Sequence, residues 1–337
     1  MRAHLTRSCQ HRLTTACGWH VSGGRRHRLR DVSKTGAPSA MSARELLVAY
    51  LRAQVDELRA REPGARIDSP DAVHRMRVAS RRLRSSMATF GPLFTGSHTQ
   101  RLRDELQWMG TVLGPVRDVE VMRAHLHETA AILSVDADLA EVLAGLDHEL
   151  AERHSHAHQM LIEALNSARY DAMLAALAVF VTNPPWDAKA ATRHTLPALV
   201  GRACARVDRA AKAAEGTLDV GGPELHEVRK AAKRARYAAE VAGPSAGSAA
   251  HALAQRMEEL QELLGRHQDS IMARALLADL AGRMSERQAF ALGLLTGVER
   301  ASDESVLAAY ELALAAASTD EVRGWTRQDG RSSPPRL

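Results

Sequence analysis

From Ser42 onward, apolar residues recur at helical spacing through nearly the whole chain. Leu46, Leu47, Tyr50, Leu51, Val55 and Leu58 make the seam of a first helix ending near Arg61. Asp68, Ser69, Pro70 and Asp71 then read as a helix start with acids in the first turn. The helix they open holds no Gly or Pro. Its Val73, Met76, Ser80, Leu83, Met87 and Phe90 fall within a sector about 100° wide. A break at Gly91-Pro92 follows. A third helix is predicted over 97–113, with Leu102, Leu106, Met109 and Val112 inward and a stop at Gly114-Pro115. Others are predicted from Arg117-Asp118 to about Leu133, over 137–165 and over 168–181. Asn183 to Ala188 contains Pro184-Pro185 and is the best internal boundary.

The second half replays the first. Helices are expected over 190–215 and 224–241, separated by a Gly-rich turn at 216–223, with a break at Gly243-Pro244 that mirrors Gly91-Pro92. Helices over 247–264, 268–283 and 285–317 complete the set. Leu113-Gly114…Asp118 returns as Leu264-Gly265…Asp269 at an offset of 151. The pattern predicts an all-α fold of two pseudo-symmetric four-helix bundles from an internal duplication, with halves 42–183 and 189–318. Symmetric docking would bring equivalent helices near each other. Residues 1–40 have no apolar period and read as a disordered basic arm, and the polar stretch 319–337 reads as a loose tail.

Composition agrees with packed helices: hydrophobic residues make up 45% and aromatics only 4%. The formal charge of +5 invites a nucleic-acid reading, but the charge is uneven. The first 40 residues hold eight of the 45 Lys and Arg and one of the 40 Asp and Glu, which leaves the remainder slightly acidic. Basic stripes in that remainder are therefore local features. Cys9, Cys17 and Cys204 show no disulfide or metal-type pairing, so a reducing cytoplasm is the expectation. No apolar run approaches the roughly 18 residues needed to span a bilayer, and no membrane partner is expected.

One such stripe, His74, Arg77, Arg81 and Arg84, runs beside the seam of the second helix within about 80° of arc. At an offset of 152, His226, Arg229, Lys233 and Arg236 repeat it beside Leu225, Val228, Ala232, Ala235 and Ala239. No acid occurs between Asp71 and Asp104, and only Glu227 and Glu240 flank the second copy. Like charges at i,i+4, such as Arg77 and Arg81, each cost a few tenths of a kcal/mol, which an anion would relieve. Guanidinium groups grip phosphate oxygens in fork geometry, and protonated His adds a donor. The stripes contain no Trp, and Phe90 and Tyr237 lie outside them, so nucleobases would lack a stacking surface. A polyanion without bases fits better, and nucleic acid is disfavoured.

The segments His74-x-x-Arg77-x-x-x-Arg81-Arg82-x-Arg84 and His226-x-x-Arg229-Lys230-x-x-Lys233-Arg234-x-Arg236-Tyr237, with the two Leu-Gly…Asp segments, resemble the conserved-histidine α-helical domain (CHAD) family. The resemblance covers roughly 42–318 and implies two four-helix bundles around a basic central channel. It also implies binding of inorganic polyphosphate and association with polyphosphate granules; no cofactor is expected. On this pattern His74, Arg77, Arg81, Arg84, His226, Arg229, Lys233 and Arg236 line the anion surface, with Arg82, Lys230 and Arg234 as outer candidates. The acidic, strand-rich triphosphate-tunnel domain that many relatives carry is not seen, so triphosphatase activity is not carried over. Gln268 stands where the first half has Arg117, so the halves are expected to differ in charge there.

Rival chemistries are weaker. His154 and His158 share a helix face at metal-ligand spacing, but no third ligand is placed, and the cluster with His156 reads as solvated. Asp147-His148 matches a metal phosphohydrolase pair only superficially. Phosphoryl transfer through His74 or His226 would need metal-binding carboxylates, and Asp118 and Asp269 read instead as helix caps or as partners that orient an Arg. A binding protein is therefore expected rather than an enzyme. The alternatives are a metal-dependent phosphoanhydride hydrolase and a nucleic-acid-binding module.

Overall fold

The computed structural model describes residues 41–133, 137–189, 195–215 and 223–327. The predicted arm 1–40, the turn at 216–222 and the end of the chain from 328 lie outside the described residues. Among the described residues the structure is all-α. Its helices are α1 (Ala43–Arg66), α2 (Ala72–Thr89), α3 (His98–Ala130), α4 (Ala137–Leu165), α5 (Ala168–Thr182), α6 (Leu196–Ala214), α7 (Pro223–Ala281), α8 (Glu286–Ala317) and the short α9 (Asp320–Arg323).

The seams read from the sequence face inward. Val73, Met76, Ser80, Leu83, Met87 and Phe90 are all buried, and so are Leu225, Val228, Ala232, Ala235 and Ala239. α2 packs against α1 and α3 and, across the internal boundary, against α7. Ala232 and Ala235 present little bulk where α2 has Ser80 and Leu83, and Ser80 Oγ donates to the Leu106 carbonyl (3.2 Å) rather than to its own helix. The apolar interior does not divide at the sequence boundary. One large core takes side chains from α1 through α8, while a second joins the C-terminal ends of α3 and α7 to the N-terminal ends of α4 and α8.

Several predicted stops are not stops. α3 runs through Gly114-Pro115, with Leu113 and Val116 on either side of the proline buried in the core. Removing one backbone bond costs less there than unpacking both flanks. α1 likewise continues past Pro63. In α7 the break falls at Gly247 (φ 58°), not at Gly243-Pro244, and glycine is the residue that tolerates this left-handed backbone. Asp71 does cap α2, but in a left-handed conformation without a side-chain cap bond, and its carboxylate pairs with Arg75.

The internal boundary is an ordered strap. Trp186 stacks on Phe94 at 4.9 Å and lies under the Arg44 guanidinium, while Thr95 N donates to the Pro185 carbonyl (2.7 Å). The start of the expected tail is also structured. Buried Arg323 donates to Asp208 Oδ1 on α6 (2.6 Å) and fastens α9 to the domain, a contact no local pattern announces. Among the described residues no single helix is long and apolar enough to cross a membrane.

Candidate anion-binding site

The two basic helices converge. Lys233 on α7 lies close enough to Arg229, Arg81, Arg77 and Arg84 for all four to disfavour its charge. Burial is the largest cause, the four guanidiniums follow, and together they pull its ammonium down to about 6. Arg81 is held below the ordinary arginine range by burial, with Arg77 and Arg229 acting in the same sense and Tyr237 opposing. The Nε atoms of Arg81 and Arg229 are buried without a hydrogen-bond partner, as is that of Arg103 on α3. Guanidinium donors that protein acceptors leave unmet favour an anionic oxygen.

The Leu-Gly…Asp segments have a spatial reason. Arg77 Nη1 donates to Asp118 Oδ1 at 2.6 Å. At the equivalent position of the second half, Asp269 is the main charge favouring ionised Arg229. A Cβ on Gly265 would come within 3.1 Å of Arg229 Nη2, so only glycine lets this guanidinium lie against the α7 backbone without displacement. Neither Asp begins a helix; both sit mid-helix, Asp118 bonded to Arg77 and Asp269 acting on Arg229 through its charge. Burial keeps the Asp269 carboxyl above its ordinary range despite Arg229.

The two histidines flank the cluster. His74 is half-buried, and burial together with nearby Arg117 and Arg81 lowers its pKa, against the pull of Asp71 and Glu120. His226 Nδ1 lies 3.3 Å from Gln268 Oε1, and burial and Lys230 lower its pKa. Arg117 and Gln268 thus meet equivalent histidines with different charge, as the sequence comparison suggested. Arg117 itself donates to Glu120 Oε2 (2.7 Å).

Four of the predicted residues find other company or extend the cluster. Arg82 and Arg236 both bind Glu240 Oε1 (3.1 Å each), and Arg236 also binds Glu258 (2.7 Å). Tyr50 Oη donates to the other Glu240 oxygen (2.7 Å), and Tyr237 lies beneath both guanidiniums. These arginines form a clamp between α1, α2 and α7 and do not join the cluster. Lys230 pairs with Glu227 on the exposed face. Arg234, by contrast, meets Arg206, Arg103 and Arg84, and burial with these neighbours depresses its pKa. Arg103 and Arg206 belong to no repeated motif and were not among the candidates. A lone basic residue on α3 or α6 carries no signal until the fold places it beside Arg84 and Arg234.

The rival carboxylates and rings are engaged. Asp147 accepts from Arg123 Nε (2.7 Å) and contacts His127 (3.0 Å). Tyr237, which acts on Arg81 and Arg229, is buried beneath the Arg82 and Arg236 guanidiniums, so its ring is not free to stack on a nucleobase.

Comparison with known proteins agrees with this architecture. The family model of the CHAD domain matches residues 49–278. Two Mycobacterium tuberculosis proteins, uncharacterized proteins MT2285 and Rv2226, are each 31% identical over 249 residues, covering 72% of this chain and 47% of the relative. The chain therefore spans about half the length of the curated relatives it matches. PptA from Streptomyces chartreusis superposes with a TM-score of 0.69 at 25% identity, over 81% of this chain and 99% of that one. The CHAD domain from the plant Ricinus communis gives 0.62 at 25% identity, over 86% and 97%. With the family match spanning most of the folded part and the paired basic helices in place, the chain belongs to the CHAD-domain family.

Proposed function

We propose that this protein binds inorganic polyphosphate along the cationic trough between α2 and α7, and that it associates with polyphosphate granules. The observation that carries the reading is Lys233 held among Arg77, Arg81, Arg84 and Arg229. The acids that reach this group, Asp118 and Asp269, are two against the four guanidiniums, which leaves a net positive surface. A row of phosphates supplies closely spaced charge without bases, matching a site whose neighbouring Tyr237 ring is covered. The binding residues are His74, Arg77, Arg81, Arg84, His226, Arg229, Lys233 and Arg234, extended by Arg103 and Arg206. Arg82 and Arg236 hold the trough in shape, and Lys230 lies on its rim.

The role is read as binding rather than turnover, because among the described residues no carboxylate lies within hydrogen-bond distance of either histidine: Asp71 and Glu120 act on His74 only through their charge, and His226 meets the Gln268 amide. The test is retention of long-chain polyphosphate by the wild type and by the Arg81→Glu, Lys233→Glu double variant, in competition with a single-stranded oligonucleotide at fixed salt. Polyphosphate should win for the wild type and be lost from the variant at unchanged melting temperature. Equal retention by both proteins removes the trough from the function. Phosphate release with added Mg²⁺ or Mn²⁺ that disappears in His74→Ala would replace binding by hydrolysis.

A further inference from the structure

Of the histidine cluster on α4, His156 is exposed, but His154 and His158 are partly buried and engaged. His158 is half-buried, and its Nε2 donates to the Ala65 carbonyl at the end of α1 (2.8 Å). One turn earlier, His154 is stacked parallel to it, with ring centroids 6.3 Å apart, and points elsewhere. Its Nε2 lies 3.7 Å from Asp68 Oδ1 and 3.8 Å from Glu120 Oε1. The three atoms lie within 4.8 Å of one another and come from three separate parts of the fold: the α1–α2 connection, α3 and α4. The i,i+4 histidine pair is therefore not a bidentate site. His154 instead finds two carboxylates distant in sequence.

The spacing carries chemical information. Both gaps exceed hydrogen-bond length, so none of the three groups has closed onto another. Ligands about 2.0–2.2 Å from a tetrahedral zinc ion are separated by roughly 3.4 Å, so the two gaps to His154 need to close by only a few tenths of an ångström, and the Asp68–Glu120 separation is no more than 4.8 Å. The surroundings favour this. Glu120 uses its other oxygen, Oε2, to accept from Arg117, which fixes the carboxylate and leaves Oε1 toward His154. Supporting bonds of this kind hold first ligands in metal sites. One imidazole and two carboxylates balance a divalent charge and suit zinc better than the oxygen-only sites of magnesium or calcium.

We propose that Asp68, Glu120 and His154 form a divalent transition-metal site, with zinc the best-matched ion. Three protein ligands leave a fourth position open to water or to an anionic oxygen. The site adjoins the His74 end of the cationic trough, because Glu120 and Arg117 both act on His74. A bound ion would add positive charge there. The assignment stands on its own ligand geometry and does not require the polyphosphate reading.

The test uses the full chain stripped by chelator, then titrated with Zn²⁺ against a chromophoric competitor, beside His154→Ala and Asp68→Asn. The wild type should take up one equivalent more than either variant, and its Co²⁺ form should show a visible d–d band that both variants lack. Metal held elsewhere, for instance by the Cys and His of the first 40 residues, cancels in the difference. All three side chains are partly exposed, so the stripped variants should melt with the wild type. Equal zinc uptake and equal cobalt spectra in wild type and both variants would overturn the site.

Discussion

Two arginine pairs meet where α2 packs against α7, and they have opposite fates. Arg82 and Arg236 share Glu240, with Glu258 and Tyr50 completing the group. Arg84 and Arg234 meet two more arginines and no carboxylate within ion-pair distance among the described residues. The pairs are built from equivalent places in the repeat: Arg84 corresponds to Arg236, and Arg82 to Arg234, each at an offset of 152. Glu240 stands four residues after Arg236. The residue four after Arg84 is Ala88. One carboxylate therefore separates a structural clamp from a cationic surface.

The largest effect is expected from reversing the uncompensated pair. Arg84→Glu with Arg234→Glu should weaken polyphosphate binding by roughly 100-fold or more, since opposed like charges cost several kcal/mol. Melting should barely change, because the native pair already repels. Titration at about 0.1 M salt together with a thermal melt checks both halves of the statement. A melting temperature that fell while affinity held would invert the assignment.

Glu240→Gln should do the reverse. It leaves Arg82 and Arg236 half-buried with less counter-charge, a loss on the order of 3 kcal/mol. Denaturant unfolding should report it, and polyphosphate affinity should stay within about twofold. Ala88→Glu sharpens the contrast by placing a carboxylate in the repeat-equivalent position. It should pair with Arg84, lower affinity by roughly tenfold and leave stability unchanged or slightly raised. An affinity equal to wild type would show that Arg84 and Arg234 do not touch the ligand.

The proton balance of the site gives a further test, read through pH. Lys233, with its ammonium near 6, is neutral in the free protein above that value, and a polyanion favours the charged form. Binding then takes up a proton, so affinity falls as pH rises above 6, by up to about tenfold per unit, and levels off below. His74 and His226, both held under their ordinary value, contribute in the same sense at lower pH. Lys233→Met should flatten the profile between pH 6.5 and 8. An unchanged slope in that variant would move the proton uptake to another group.

Much of this was legible before any coordinates. The seams at 73–90 and 225–239 were readable because burial on a helix follows a short, repeated spacing, and each predicted apolar position is indeed inside. The paired stripes were readable for the same reason. Helix ends were less so: Pro115 was overridden by packing on both flanks, α1 continued past Pro63, and the true break moved to Gly247. Local propensity ranks the options, but tertiary contacts choose among them.

The sequence alone determined the helices, their inward faces and the existence of two matched cationic rows, since each depends on residues within a few turns. Tertiary structure alone decided which cations remain uncompensated. Arg82 meets a carboxylate 158 residues away, Arg234 meets Arg103 and Arg206 from other helices, and His154 finds Asp68 and Glu120. Coulomb energy depends on separation in space and on burial, and neither is written in the spacing of one helix.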